Sequence, residues 1–165
     1  GTAFTIELTL QLAGEGAAAA AQEAKTQHVD PSHRLRHSRI LLVDDNDLNR
    51  EIAITLLEDE GFTVEYAVNG CEAVEKIMDA PSGHYQLVLM DVQMPVMNGH
   101  AAARAIRALA RPDAATIPIF AMTADAFVED EKAALAAGMN AHVAKPLEID
   151  ELRRAVDRFV EKGRS

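Results

Sequence analysis

Five short apolar runs, each stopping at a polar or charged residue, punctuate the chain from Arg39 onward, and helix-period stripes fill the gaps between them. The runs are Ile40–Val43, Phe62–Ala67, Leu87–Met90, Ile117–Met122 and Ala141–Ala144. The stripes are Leu48, Ile52, Leu56 and Leu57, closed by Gly61; Ala73, Val74, Ile77 and Met78, ending before Pro81; Ala102, Ala105, Ile106 and Leu109; Phe127, Ala134, Leu135 and Ala137, closed by Gly138; and Ile149, Leu152, Val156, Phe159 and Val160. Strands that read as continuous apolar runs are buried on both faces. Alternation with helices supplies the cover and makes the sheet parallel. The expected class is α/β, a doubly wound five-stranded parallel sheet with helices on both faces.

Upstream of Arg39 the pattern changes. In residues 1–12, Phe4, Ile6, Leu8, Leu10 and Leu12 alternate with Thr5, Glu7, Thr9 and Gln11, the period-2 signature of a strand with one buried face. A lone strand cannot bury that face, and no second alternating strand follows. Residues 1–12 are read as the detached last strand of a preceding domain; an edge strand of the main domain is the alternative. Residues 13–38 form an Ala-rich and polar linker, with Gly14 and Gly16 breaking the strand and Asp30-Pro31 marking a turn. Having lost its sheet, the segment 4–12 is expected to pair with another chain or with an available sheet edge.

Composition narrows the function. The 165 residues fit one full domain plus extra chain. The net charge is −10, and 22 of the 26 acids lie in residues 39–165 against 13 of the 16 bases. Such a balance disfavours contact with nucleic acid or anionic lipid. No stretch approaches the roughly 18–20 apolar residues of a membrane span. Cys71, the single cysteine, suits a reducing compartment and reads as a helix packing residue. A cytoplasmic location is expected.

Sites of open α/β sheets lie beyond the C-terminal strand ends. The first strand delivers Asp44 and Asp45 there, the third Asp91, the fourth Thr123 and the fifth Lys145. One aspartate at a strand end is usually a turn residue or a cap. Five such groups on strand ends together are harder to explain as turn chemistry. Clustered carboxylates repel unless a cation joins them, and their hard oxygens favour Mg²⁺ or Mn²⁺. A carboxylate can be a nucleophile toward phosphorus, while a lysine and a hydroxyl can stabilise the phosphoryl oxygens.

The ordered set Ile40-Leu-Leu-Val-Asp44-Asp45-Asn46, Leu89-Met-Asp91-Val-Gln93-Met-Pro95-Val-Met-Asn-Gly99, Met122-Thr123-Ala124 and Lys145-Pro146 resembles the receiver domain of two-component signalling, over residues 39–162. The resemblance implies a flavodoxin-like strand order 2-1-3-4-5 and Asp91 as phosphoryl acceptor. It implies Mg²⁺ held by Asp45, Asp91 and the Gln93 backbone carbonyl, with Asp44 acting through water. It further implies Thr123 and Lys145 on the phosphoryl group, a cis Lys145-Pro146 bond, and Gln93 and Asp125 at positions that tune phosphoryl lifetime. His142 stands where the family has an aromatic switch residue; a plain edge-strand residue is the other reading. Met94, Pro95, Met97 and Gly99 read as loop shape, with Gly99 giving backbone freedom.

Gly1-Thr-Ala-Phe4-Thr-Ile6-Glu-Leu8 resembles the terminal strand of a histidine-kinase ATP-binding domain. Kinase, linker, receiver is the order of a hybrid sensor kinase, so the chain is read as the C-terminal fragment of one, without its ATP site. The partners implied are the kinase domain of the same chain and a histidine phosphotransfer protein. Ser32-His33-Arg34 superficially resembles a kinase phosphohistidine box but follows the ATP-binding remnant and lacks the acid after the histidine. His28, His33 and His37 are spaced too irregularly to favour a metal site. Two rivals stand beside the relay: a receiver that docks on its own kinase without onward transfer, and a Mg²⁺-dependent aspartyl phosphatase. Phosphatases of that kind carry a second acid two residues after the nucleophile, where this chain has Gln93.

Overall fold

Residues 37–124 and 128–163 are described by the computed structural model. The readings placed on residues 1–36, on Asp125 and on Phe127 lie outside them. Among the described residues, five strands alternate with five helices: β1 (Arg39–Val43), α1 (Asp47–Asp59), β2 (Thr63–Ala67), α2 (Gly70–Asp79), β3 (Leu87–Asp91), α3 (Gly99–Arg107), β4 (Ile119–Thr123), α4 (Val128–Ala136), β5 (Ala141–Ala144) and α5 (Ile149–Gly163). The sheet is parallel throughout, in the order β2-β1-β3-β4-β5.

The strand runs alternate between two cores. Leu41, Val43, Val88, Met90, Ile119 and Ala121 face α2, α3 and α4, where Ala73, Ile77, Ala102, Ile106 and Ala134 close over them. Ile40, Leu42, Leu89, Phe120, Met122 and Val143 face α1 and α5, meeting Ala53, Leu57, Leu152 and Val156. Because Ile40–Val43, Leu87–Met90 and Ile119–Met122 each enter one core or the other, no polar position interrupts the runs. The Phe120 and Phe159 rings meet edge to face at 5.9 Å, tying β4 to α5.

Helix ends follow the local chemistry of the chain. Asn46, Asn69 and Asn98 each accept a hydrogen bond from the backbone N–H three residues on, at 3.0, 2.9 and 2.8 Å, and so start α1, α2 and α3. At the other end, Gly61 and Gly138 reverse the chain with φ of +95° and +94°. The Phe62 and Met139 amides then donate back to the carbonyls of Leu57 and Ala134.

Several expectations need correction. Pro118 cannot donate to a ladder, so β4 starts at Ile119 and Ile117 packs ahead of it, after a 3₁₀ turn at Pro112–Ala115 that the apolar pattern did not show. Leu109 lies beyond the end of α3, and β2 begins at Thr63. As an edge strand, β2 leaves Thr63 and Tyr66 exposed instead of reading as a buried run. Leu48, Ile52, Met78 and Leu135 sit in helical register but face solvent; Ala53, Leu57, Ala73, Ile77 and Ala134 take the core positions. Gly99 has no positive φ: it is needed for space, because a Cβ there would lie 2.3 Å from the Asp91 carbonyl oxygen.

Candidate functional site

All five strand-end groups meet at the C-terminal rim. β1 runs directly into Asp44 and Asp45, β3 ends on Asp91, β4 ends on Thr123, and Lys145 follows β5. The Lys145 amide donates to the Thr123 carbonyl at 2.8 Å, so the sheet ladder itself sets the last two side by side. The Lys145-Pro146 bond is cis.

Carboxylate oxygens of Asp44, Asp45 and Asp91 lie within 4.8 Å of one another. Asp44 and Asp91 are buried, at 2% and 4% exposure, while Asp45 faces solvent. Lys145 Nζ bridges Asp44 Oδ2 at 3.2 Å and Asp91 Oδ2 at 3.1 Å. The Asn46 amide donates to Asp44 Oδ1 at 2.8 Å, and the Gln93 amide donates to Asp91 Oδ1 at 3.2 Å. Both Asp44 oxygens are thus already engaged by protein, whereas Asp45 is open to the cleft. Asp45, Gln93, Thr123 and Lys145 border one cleft of about 280 Å³ around Asp91.

Electrostatics set Asp91 apart from the other carboxylates. Burial raises the Asp91 carboxyl above its ordinary range, and Asp44 pushes the same way; Lys145 and the Gln93 amide oppose them without cancelling the shift. Burial alone would lower the Lys145 ammonium, but its contacts with Asp91 and Asp44 hold it above normal. The result is an anionic cup with one resident ammonium and too few cations for its carboxylates. Three hard oxygen donors at this spacing, with neither cysteine nor histidine among them, suit a small divalent cation such as Mg²⁺.

His142 is not among the carboxylates. It lies behind Thr123: both border a cavity of about 10 Å³ between β4, β5 and α4, and His142 Nδ1 is 4.0 Å from Glu131 Oε1. Two further residues at the rim escaped the sequence reading. Asp130, in the first turn of α4, lines the same cleft as Asp91. Arg50 reaches back along α1 to the Asp44 carbonyl. Its signal was the acid three residues earlier, Asp47, which shares its helix face.

The family model for the response regulator receiver domain matches residues 40–157. The sensor protein GacS of Pseudomonas syringae is 37% identical over 137 residues, 82% of this chain but 15% of that protein. The hybrid signal transduction histidine kinase L of Dictyostelium discoideum is 31% identical over 85% of this chain, which spans 8% of it. The two-component response regulator ORR41 of rice is 40% identical over 123 residues, covering 73% of this chain and 93% of its own length. Among solved structures, chemotaxis protein CheY4 of Vibrio cholerae overlays with a TM-score of 0.66 at 29% identity, over 74% of this chain and 98% of its own. The receiver domain of sensor histidine kinase PA1611 from Pseudomonas aeruginosa, solved with a magnesium ion in its active-site cleft, overlays at 0.65 with 35% identity, over 75% and 98%. With the doubly wound order 2-1-3-4-5 and the rim of aspartates already in place, this chain belongs to the response regulator receiver domain family of two-component signalling.

Proposed function

We propose that the chain accepts a phosphoryl group on Asp91 from a phosphohistidine and relays it to a histidine phosphotransfer partner. The observation that carries this reading is the Lys145 ammonium, held within 3.2 Å of both buried aspartates at the floor of an open cleft. Asp91 Oδ attacks phosphorus, the P–N bond of the donor breaks, and its imidazole leaves with the electron pair and is protonated by solvent. Lys145 stabilises charge on a phosphoryl oxygen, and the Thr123 hydroxyl donates to another. Asp45, Asp91 and the Gln93 carbonyl would hold Mg²⁺, with Asp44 through water, and the chemistry supplied there would be neutralisation of charge on the phosphoryl oxygens. Gln93 and Asp125 would govern access of water to the acyl phosphate, and His142, bordering the cavity behind Thr123, would sense the movement of that hydroxyl.

The kinase context is part of the same proposal. Two of the relatives are sensor kinases of which the chain spans a small share, and the alternating apolar pattern of the sequence over residues 1–12 suits the end of a kinase ATP-binding domain. The compartment on this reading is the cytoplasm. Incubation with acetyl phosphate and Mg²⁺ followed by intact-protein mass spectrometry tests it: one phosphoryl group is gained by the natural chain and none by Asp91→Asn. No gain, or a gain retained in the variant, refutes the assignment. Transfer onward to a phosphotransfer protein separates relay from docking on the kinase alone.

A further inference from the structure

The loop between β1 and α1 must hold two acids still while pointing them in different directions. Asp44 is fixed at several atoms: its amide donates to the Ala67 carbonyl at 3.2 Å, and its carboxylate meets Asn46 and Lys145. Its own carbonyl opens the peptide that launches Asp45 toward the cleft. That carbonyl accepts from Arg50 Nη1 at 3.0 Å.

Arg50 is built into this place. Its side chain is only 12% exposed, and its guanidinium carbon lies 4.9 Å from the centre of the Tyr66 ring on β2. The other arm of the fork, Nη2, meets Asp47, whose side chain is 90% exposed and contributes little by itself. The firm contacts are therefore the Tyr66 face and the Asp44 carbonyl. A planar fork that stacks on a ring while donating sideways is arginine geometry; a lysine ammonium cannot do both.

We infer that Arg50 is a positioning residue for the acidic cup: by clamping the Asp44–Asp45 peptide between α1 and the Tyr66 ring, it sets the direction of Asp45 toward the cation. This inference rests on the proposed reading of the cup as a Mg²⁺ site. It makes a prediction that background charge would not. An arginine acting only as a nearby positive charge competes with Mg²⁺, so its removal tightens Mg²⁺ binding. An arginine that positions Asp45 does the reverse.

The test is calorimetric titration of the full chain with Mg²⁺ alone, for the natural protein, Arg50→Lys and Arg50→Met, beside thermal melts of each. Both variants are expected to bind Mg²⁺ about ten-fold more weakly, the range typical of lost outer-shell support. Acetyl phosphate labelling is expected to recover once Mg²⁺ is saturating. Unchanged affinity in both, tighter binding in Arg50→Met, or retention of full affinity by Arg50→Lys overturns the inference. Tyr66→Leu, which leaves the guanidinium in place, covers the case of a variant that does not fold. It is expected to weaken Mg²⁺ by about 2–5-fold, as for a lost exposed cation–π contact, and unchanged binding there counts against the clamp. A natural chain that takes up no Mg²⁺ overturns the reading of the cup itself, an outcome distinct from a responsive natural chain with silent variants.

Discussion

Two carboxylates on different strands of the same sheet, with β1 between them, sit in opposite environments. Glu65, on β2, accepts from Tyr85 Oη at 2.6 Å, from Arg39 Nη1 at 2.5 Å and from His84 Nε2 at 3.1 Å. The Tyr85 hydrogen bond is the largest influence; burial opposes it, and Arg39 and His84 add to it, holding Glu65 down at about 2. In return, burial and the carboxylate push the Tyr85 hydroxyl upward. Asp91, at the end of β3, is pushed the other way by burial and by Asp44. Donors converge on the first carboxylate, and a second carboxylate faces the other. A group whose ionised form is satisfied inside the protein stabilises the fold. One whose ionised form is under-compensated is left needing an external cation, which suits an acceptor of phosphoryl groups.

The sharpest way to break the site end of this contrast is through space. Gly99→Ala puts a methyl into the Asp91 carbonyl, forcing α3 away from β3. A loss of about 1–3 kcal/mol in chemical denaturation is expected, together with impaired labelling of Asp91. A neutral result would show that the α3 start is free to shift and does not support the acceptor.

The structural end is tested by acid. Because the folded-state value for Glu65, about 2, lies below the ordinary 4.5, the fold favours its ionised form. That stabilisation is complete above about pH 4.5 and is lost as pH falls toward 2. Asp113, also held at about 2, chiefly by its hydrogen bond from Arg111, titrates in the same window. Glu65→Gln is expected to lower stability at pH 7 by about 1 kcal/mol and to flatten the decline between pH 4.5 and 2 without abolishing it, since Asp113 remains. Denaturation midpoints across that range read the effect.

A smaller change sharpens the contrast from the site side. Val96, 82% exposed on the β3–α3 loop, adopts φ +69°, and the Met97 amide closes a three-residue turn on the Pro95 carbonyl at 2.8 Å. A β-branched residue is strained there. Val96→Asn is expected to raise stability by about 0.5–1 kcal/mol in denaturant melts, because asparagine tolerates this backbone better.

Much of this was legible in the chain. The central strands β1, β3 and β4 read as uninterrupted apolar runs because both of their faces are buried, and the strand-end aspartates stood out because nothing in the core explains them. The edge was harder: β2 carries Glu65 and Tyr66 because one side is wet, so apolar continuity misdescribes it. Helix stripes identified the helices but not always the buried face. In α1, Leu48 and Ile52 are in register yet solvent-facing, while Ala53, a small residue, takes the core. The Glu65 cluster was invisible because its partners are separated along the chain; for Arg50 the pair with Asp47 was within reach, but the contact with the Asp44 carbonyl was not, since a backbone atom carries no sequence signal. Gly99 was read for its backbone when it was needed for its missing side chain.

The central claim is that the cup is electrostatically incomplete until a cation joins it, and thermal melts of the natural chain and Asp91→Asn with and without Mg²⁺ test this most directly. Since the fold raises Asp91 above its ordinary range, the ionised carboxyl costs stability at pH 7, and a neutral isostere removes that cost. Without Mg²⁺ the variant should melt higher than the natural chain. Saturating Mg²⁺ should then raise the natural chain and leave the variant nearly unmoved. A variant that melts lower without Mg²⁺, or two proteins that Mg²⁺ stabilises equally, would contradict the account.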